Sequence, residues 1–497
     1  MSAQFENRLP FPAPARSIAV AHGDGIGPEI MAATLRVLGA ADPGLTFHEV
    51  PLGLKAYEAG HAAGFTPEAL EAVTRHGVLL KAPLSTPQGG GYKSVNVTLR
   101  KTLGLFANVR PCVAYHPVVP ATHPGMDLVV VRENEEDTYA GIEHRQTDEV
   151  VQCLKLITRP GCERIVRHAF EYALANGRRK VTCMTKDNIM KLTDGLFHAV
   201  FDEVAAGYPG IATEHMIIDI GTARVATRPR DFDVIVTPNL YGDILSDVAA
   251  EVAGSIGFAP SANIGYRASM FEAVHGSAPD IAGRDLANPS GLLLSAVMML
   301  VHLGRGAPAT AIHNAWLRTL EDGVLTGDVP AAGKVRRVGT QAFADAVIER
   351  LGQRPERLRP VDYPSRAEAV PAAPKPRLAE TGRVPADKQL EGVDLFLHWD
   401  QDGRSPAALG ARLERIAGPE FTLELVTNRG VKVYPGGNPH TLCSDHWRCR
   451  FRDAGEASPL AITRLMARAA EAGLDVVKTE NLYRFDGKAG YSQAQGA

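Results

Sequence analysis

Cysteine is scarce in this chain. The six residues, at positions 112, 153, 162, 183, 443 and 449, form no CxxC pair and no framework spacing. That excludes a disulfide-stapled scaffold and suits a reducing cytosol. An excess of one charge is also missing. Fifty-three Lys and Arg stand against 56 Asp and Glu, a net of −3, so no global field draws the chain to nucleic acid. Long hydrophobic runs are absent. The longest apolar stretch, 292–303, contains Ser295 and His302, is too short to span a bilayer and reads as a buried helix. The start, MSAQFENRLPFPAPARS, lacks the apolar core of a signal peptide. The expectation is a cytoplasmic protein with no membrane and no nucleic-acid partner. A dinucleotide fingerprint is missing as well: GDGIGPE lacks GxGxxG spacing.

What is present points to several domains, since 497 residues exceed one typical unit. Ser17–Ala21 is apolar and GDGIGPEI follows, which reads as strand, tight turn and helix, with Pro28 suited to the first helical turn. Segments 128–131, 234–236 and 181–184 read as buried strands; 163–175 and 247–253 read as helices. Strands alternating with helices imply α/β architecture. From 352 to 385 the chain is rich in Pro, Arg and Ala, an extended linker by composition. Beyond it, 393–399 is a strand, Ser405-Pro406 caps a helix to about 417, and 421–426 is a strand. Turn signals fill 430–437. In 446–452 Trp447, Cys449 and Phe451 share a face. Ser458-Pro459 caps a second helix, and 475–477 begins a last strand. The order βαββαβ fits a ferredoxin-like module.

The candidate chemistry lies in five stretches. In GGGYKSVNVTLRKTLGLFANVRP, Ser94, Asn96, Arg100 and Arg110 gather after a glycine-rich entry, and Arg132 follows soon after. Guanidinium forks bind carboxylates bidentately, so these residues read as a pocket for a small polycarboxylate or as a solvated basic helix. In TPNLYGDILSD, Asp243 and Asp247 are four apart and share a face if the segment is helical. Aligned carboxylates repel unless a cation such as Mg²⁺ or Mn²⁺ joins them, and Asp219 is a third candidate ligand. The plainer alternative makes Asp243 a cap and Asp247 a solvated charge. Lys186, in CMTKDN, is a candidate base or a surface lysine. Tyr139, in RENEEDTYAGIEH, is a proton donor or an ordinary tyrosine. His275, Gly276, Ser277 and Ala278 form a loop fit for close backbone approach to a ligand, or an ordinary Gly/Pro-rich loop.

Taken in order, GDGIGPE, GGGYKSVNVTLRK with ANVRP, RENEEDTYAGIE, TKDN, TPNLYGDILSD and HGSAPDIAGRDLANP resemble the isocitrate/isopropylmalate dehydrogenase family over about 17–351. The resemblance implies an isopropylmalate-dehydrogenase-like two-domain α/β fold that is not a Rossmann fold. It implies a large cofactor-binding domain of 1–105 with 262–351, a small domain of 106–261 with the dimer interface, and a linker of 352–388. NRGVKVYPGG and DHWRCRFRD resemble the C-terminal domain of long Thermus-type bacterial isocitrate dehydrogenases, here the βαββαβ domain 389–490.

By resemblance, Arg100, Arg110 and Arg132 clamp the substrate carboxylates. Asp219, Asp243 and Asp247 hold Mg²⁺ or Mn²⁺. Lys186 takes the hydroxyl proton, and Tyr139 protonates the carbon after CO₂ leaves. Lys186 and Asp219 are implied to come from a partner subunit, so the expected unit is at least a homodimer. Ser94 and Asn96 select isocitrate, because their polar groups meet a third carboxylate that an apolar pocket would strand. Homoisocitrate, one methylene longer, is the alternative substrate. Thr86, Asn188, His275, Gly276, Ser277, Ala278, Asp280, Ile281 and Asn288 are implied cofactor contacts. Asp280-Ile281 stands where NADP-using relatives carry Lys-Tyr. A carboxylate there accepts from ribose hydroxyls and repels a 2′-phosphate, so the expected cofactor is NAD. Lys334, Arg336 and Arg337 are the nearby charges that oppose this reading.

The extra module has three readings: an oligomer buttress, a small-ligand regulatory domain, or a nucleic-acid surface built on Arg448, Arg450 and Arg452. Cys443, His446 and Cys449 are too few to make a zinc site persuasive. For the whole chain, the alternative class is a non-catalytic carboxylate-binding protein on this scaffold.

Overall fold

The computed structural model describes residues 17–85, 94–331, 334–364 and 385–493. They form two units: one of 1–139 with 156–376, the other of 140–155 with 377–497.

The first unit is built on a ten-stranded mixed sheet. Its order is Thr46–Glu49, Ser17–Ala21, Val78–Lys81, Ser269–Ala273, Pro260–Ile264, Ala107–Val113, Asp127–Glu133, Val234–Thr237, Lys180–Thr185, Ala212–Ile217. Two parallel wings flank antiparallel central strands. The inner strands Val78–Lys81 and Val234–Thr237 are buried at every position, as strands covered on both faces must be. The expected α/β class is present, without a Rossmann sheet. Helix Gly27–Ala41 has Pro28 in its first turn. Helix Ser290–His302 is apolar all round and sits in the main core. Of the stretch expected as linker, Leu358, Val361 and Tyr363 pack on that core.

The second unit is an antiparallel sheet ordered Val431–Tyr434, Phe421–Asn428, His446–Asp453, Lys388–His398, Asp475–Phe485, Lys488–Ala489. Helices Pro406–Ile416 and Pro459–Glu471 begin where expected, the hydroxyls of Ser405 and Ser458 accepting from the amides of Ala408 and Ala461. This is the ferredoxin-like βαββαβ order, each outer strand extended by a hairpin partner. One such partner, Val431–Tyr434, occupies the segment read as a turn. Its alternating Val431 and Val433 sustain a strand once Arg429-Gly430 has turned the chain. Trp447, Cys449 and Phe451 are fully buried on one face as expected. The hairpin of Glu143–Arg145 and Val151–Cys153 belongs to this unit, where Thr147 donates to Asp445 at 2.6 Å and Glu149 pairs with Arg404 at 2.7 Å. The expected small-domain range, 106–261, differs in including it.

On the opposite face, Arg450 is consumed by a bidentate bond to Asp394, both contacts at 2.8 Å, and Arg452 faces Glu391 and Tyr491. The three strand arginines are therefore partly neutralised from within the sheet.

Candidate active site

The two central strands place the cationic half of the site. Asn108 lies opposite Arg132 in the ladder, and Arg110 is two residues from Asn108. Strand periodicity puts all three on one face. Helix Asn239–Ala253 lies over them. It starts eight residues before the expected 247, with Pro238 at its entrance. Asn239, Asp243, Ser246 and Asp247 consequently share one helical face. Gly242 permits the close approach: a Cβ there would lie 2.6 Å from Arg132 Cγ and 2.7 Å from its Cβ.

The result is a tight network. Arg132 donates from Nε (3.0 Å) and Nη2 (2.7 Å) to Asn239 Oδ1, and from Nη1 to Asp243. Arg110 bonds Asn108 at 2.6 Å and Ser246 at 2.7 Å, and pairs with Asp243 at 3.2 Å and Asp247 at 3.4 Å. Tyr139 donates to Asp243 Oδ2 at 2.5 Å while the Arg132 guanidinium stands 4.9 Å from its ring centre.

The electrostatics show which partners the pocket calls for. Burial, with the neighbouring charges of Arg110 and Arg100, pushes the Arg132 pKa down. Burial works against ionisation of Asp243, but Arg132 and Arg110 more than offset it and hold its pKa low. Asp247 is raised, by burial and then by Asp243, despite Arg110. Converging guanidiniums call for a polyanion, and two crowded carboxylates call for a cation. Asp243 and Asp247 thus fit a hard divalent ion with oxygen donors such as Mg²⁺ or Mn²⁺.

Arg110 also lines a cavity of about 120 Å³ with Asn96, Arg100, His275 and Gly276. Ser94 stands at the N-terminus of the helix Val95–Leu103 that carries Asn96 and Arg100. In this cavity Asn96 Oδ1, Arg100 Nε and His275 Nε2 are buried without a partner among the described residues. Native interiors rarely leave such groups unpaired, and a polar ligand would satisfy them. A larger cavity of about 970 Å³ is lined by other residues, such as Tyr115, Met298 and His313.

Sequence reasoning missed the support beneath Arg100. Glu272 accepts from Arg100 at 3.0 Å, from Asn263 at 2.9 Å, and pairs with the fully buried Lys81 at 2.7 Å. Burial opposes its ionisation, but Lys81 and Arg100 hold its pKa far below the usual range. The only signals were a lysine ending the run VLLK and a glutamate inside the buried strand SMFEA.

Lys186 and Asp219 meet each other at 2.6 Å. Among the described contacts neither touches Arg110, Arg132, Tyr139, Asp243 or Asp247. Asn188 is exposed in the turn after Lys186. Thr86 lies outside the described residues. The expected cofactor loop packs on the first glycine turn. Ile26 N donates to the Ser277 carbonyl at 2.9 Å, and Gly25 (φ +58°) has that carbonyl where a side chain would be. Ala278 has φ +36°. Asp280 and Ile281 follow in a turn, and Asn288 donates to Asp328 at 3.0 Å.

The fold and the chemistry of these side chains fit a small polycarboxylate and a hard divalent cation. Residues 17–347 match the model of the isocitrate/isopropylmalate dehydrogenase family, and 388–497 match the bacterial isocitrate dehydrogenase C-terminal domain. Isocitrate dehydrogenase [NADP] of Rickettsia bellii is 51% identical over 482 residues, covering 96% of this chain and 99% of the relative. That of Thermus thermophilus is 47% identical over 486 residues, covering 96% and 95%. The crystal structure of the TT0538 protein from Thermus thermophilus superposes with a TM-score of 0.87 at 46% identity, covering 97% of this chain and 96% of that one. The chain belongs to the isocitrate/isopropylmalate dehydrogenase family and is of the long bacterial type.

These relatives overturn the NAD expectation, since both full-length ones are NADP enzymes by name. Asp280 taken alone argues for NAD, but it does not stand alone: Arg284, in the same turn, puts its guanidinium 3.5 Å from the Asp280 carbonyl and brings a positive charge into that loop.

Proposed function

We propose that this chain is an NADP-dependent isocitrate dehydrogenase. It converts isocitrate to 2-oxoglutarate and CO₂ with reduction of the cofactor. The observation that carries this reading is the convergence of Arg110 and Arg132 on Asp243 and Asp247, beside a cavity that holds Asn96 and the unpartnered Arg100 Nε, a donor that a carboxylate would satisfy. Three guanidiniums and the Ser94–Asn96 pair match a tricarboxylate better than an alkyl-bearing acid.

Arg100, Arg110 and Arg132 bind and orient the carboxylates. Asn96 meets the third carboxylate, with its amide turned to donate. Asp243 and Asp247 would hold the cation, which would supply Lewis-acid polarisation of the bound substrate's oxygens. Lys186, positioned by Asp219, accepts the hydroxyl proton. Tyr139 returns a proton to the carbon that loses CO₂. Because Lys186 and Asp219 pair apart from the arginine cluster, we assign them to the site of a second copy, which makes the active unit at least a homodimer. Arg284, whose guanidinium lies at the Asp280 carbonyl, is the candidate to meet the 2′-phosphate.

The test is a steady-state comparison of isocitrate, homoisocitrate and isopropylmalate. Highest kcat/KM with isocitrate is expected. Preference for either other acid would refute the substrate assignment.

A further inference from the structure

Tyr139 and Asp243 are 104 positions apart in the chain, yet the Tyr139 hydroxyl lies 2.5 Å from Asp243 Oδ2. Some contact must fix the spacing of the two backbones that carry them. Tyr139 sits in the single turn Thr138–Ala140, a short loop after the strand Asp127–Glu133, and Asp243 sits in helix Asn239–Ala253. The near end of the loop is anchored by Glu133, which accepts the Glu135 and Glu136 amides at 2.7 Å and 3.0 Å. The far end, next to Tyr139, is held by Asp137.

Asp137 is fully buried. Its Oδ1 accepts from Thr138 N at 2.8 Å, and its Oδ2 from Leu240 N at 2.9 Å. Its own amide donates to the Leu156 carbonyl at 2.8 Å. One carboxylate therefore spans from the turn of Tyr139 to the first turn of the helix of Asp243. That helix needs an acceptor there. First-turn amides have no partner within a helix, and the residue at its entrance, Pro238, has no side-chain oxygen to offer. Asn239 adds a parallel tie, its Nδ2 donating to the Glu136 carbonyl at 3.3 Å. Asp137 also has φ +65°. Aspartate enters the left-handed region more readily than most residues, but such conformations persist only where the surroundings hold them, and they gather at functional sites.

We propose that Asp137 is the positioning residue of Tyr139: by joining the loop to the helix, it sets the Tyr139 hydroxyl at the place from which its proton reaches the carbon that loses CO₂. The inference rests on the role given to Tyr139 above. Asp137 acts only through Tyr139, since both of its oxygens are turned to backbone amides. The arginines that orient the substrate have supports of their own: Glu272 for Arg100, Asn108 and Ser246 for Arg110, Asn239 for Arg132. Asp243 and Asp247 lie on one helix and shift together. Loss of the tie is therefore expected in kcat and not in KM.

The experiment is a double-mutant cycle on the full chain, with Asp137→Gly, Tyr139→Phe and both together. Glycine removes the carboxylate while accepting φ +65° freely. Asp137→Gly is expected to lower kcat with isocitrate about 100-fold at nearly unchanged KM. In the Tyr139→Phe background it is expected to cost nothing further, because the proton it positions is already gone. Losses that multiply would mark a merely structural residue and overturn the proposal, as would a loss expressed in KM. Full kcat in Asp137→Gly beside a slow Tyr139→Phe overturns the proposal alone. Full kcat in Tyr139→Phe removes the role of Tyr139, and the proposal with it. If the glycine variant does not fold, Asp137→Asn, which tolerates the same backbone but leaves one of the two amides without an acceptor, is read in the same cycle by the same criteria.

Discussion

Gly242 offers the sharpest structural test of the arginine–carboxylate network. It sits inside helix Asn239–Ala253 with no left-handed requirement, so Gly→Ala there would ordinarily favour the helix by about 1 kcal/mol. Here a Cβ would fall 2.6 Å and 2.7 Å from Arg132 side-chain carbons, below the 3.4 Å at which ordinary contact begins. Arg132 is 1% exposed and cannot swing aside without leaving Asn239 and Asp243. The helix therefore retreats by roughly 0.8 Å, and a displacement of this order costs about 100-fold in rate. Overpacking of about 1–3 kcal/mol offsets the propensity gain. Gly242→Ala is thus expected to melt within a few degrees of the unaltered chain while kcat with isocitrate falls about 100-fold. Thermal melting and steady-state kinetics on the same preparation check this. Full activity in a normally folded variant would refute the claim that Arg132, Asp243 and Asp247 act at the spacing described.

Other perturbations separate the parts of the site. Tyr139→Phe keeps the ring beside Arg132 but removes the proton; kcat should drop by about 10²–10⁴ with KM little changed, measured by initial rates. Asn96→Leu should raise KM for isocitrate about tenfold or more and narrow the gap to isopropylmalate, as one unpaired polar contact costs about 1–3 kcal/mol. Glu272→Gln leaves Lys81 buried without its counter-charge and should cost about 3–5 kcal/mol, read by denaturant unfolding. Because the Glu272 pKa is depressed in the folded chain, its stabilisation is complete above the ordinary carboxyl value of 4.5 and is lost as pH falls below it. The stability of Glu272→Gln should therefore decline less on acidification than that of the unaltered chain.

Local chemistry made much of this legible in the sequence. Ser405 and Ser458 cap helices where a hydroxyl before proline says they should, and the period-2 pattern buries Trp447, Cys449 and Phe451 together. The DxxxD spacing put Asp243 and Asp247 on one helical face. What stayed hidden depends on contacts distant in sequence. Arg100 and Glu272 are 172 positions apart, and Thr147 and Asp445 are 298 apart. No local pattern announces either pair. The cofactor reading rested on the single residue Asp280, and the full-length NADP relatives overturn it.

The central claim is that this pocket performs metal-assisted oxidative decarboxylation of isocitrate. The most direct measurement follows NADPH and CO₂ together, from isocitrate and NADP, with Mg²⁺ or Mn²⁺ and after rigorous chelation. The expected result is one NADPH and one CO₂ per isocitrate, abolished by chelation. No turnover with metal, or turnover that survives chelation, would contradict it.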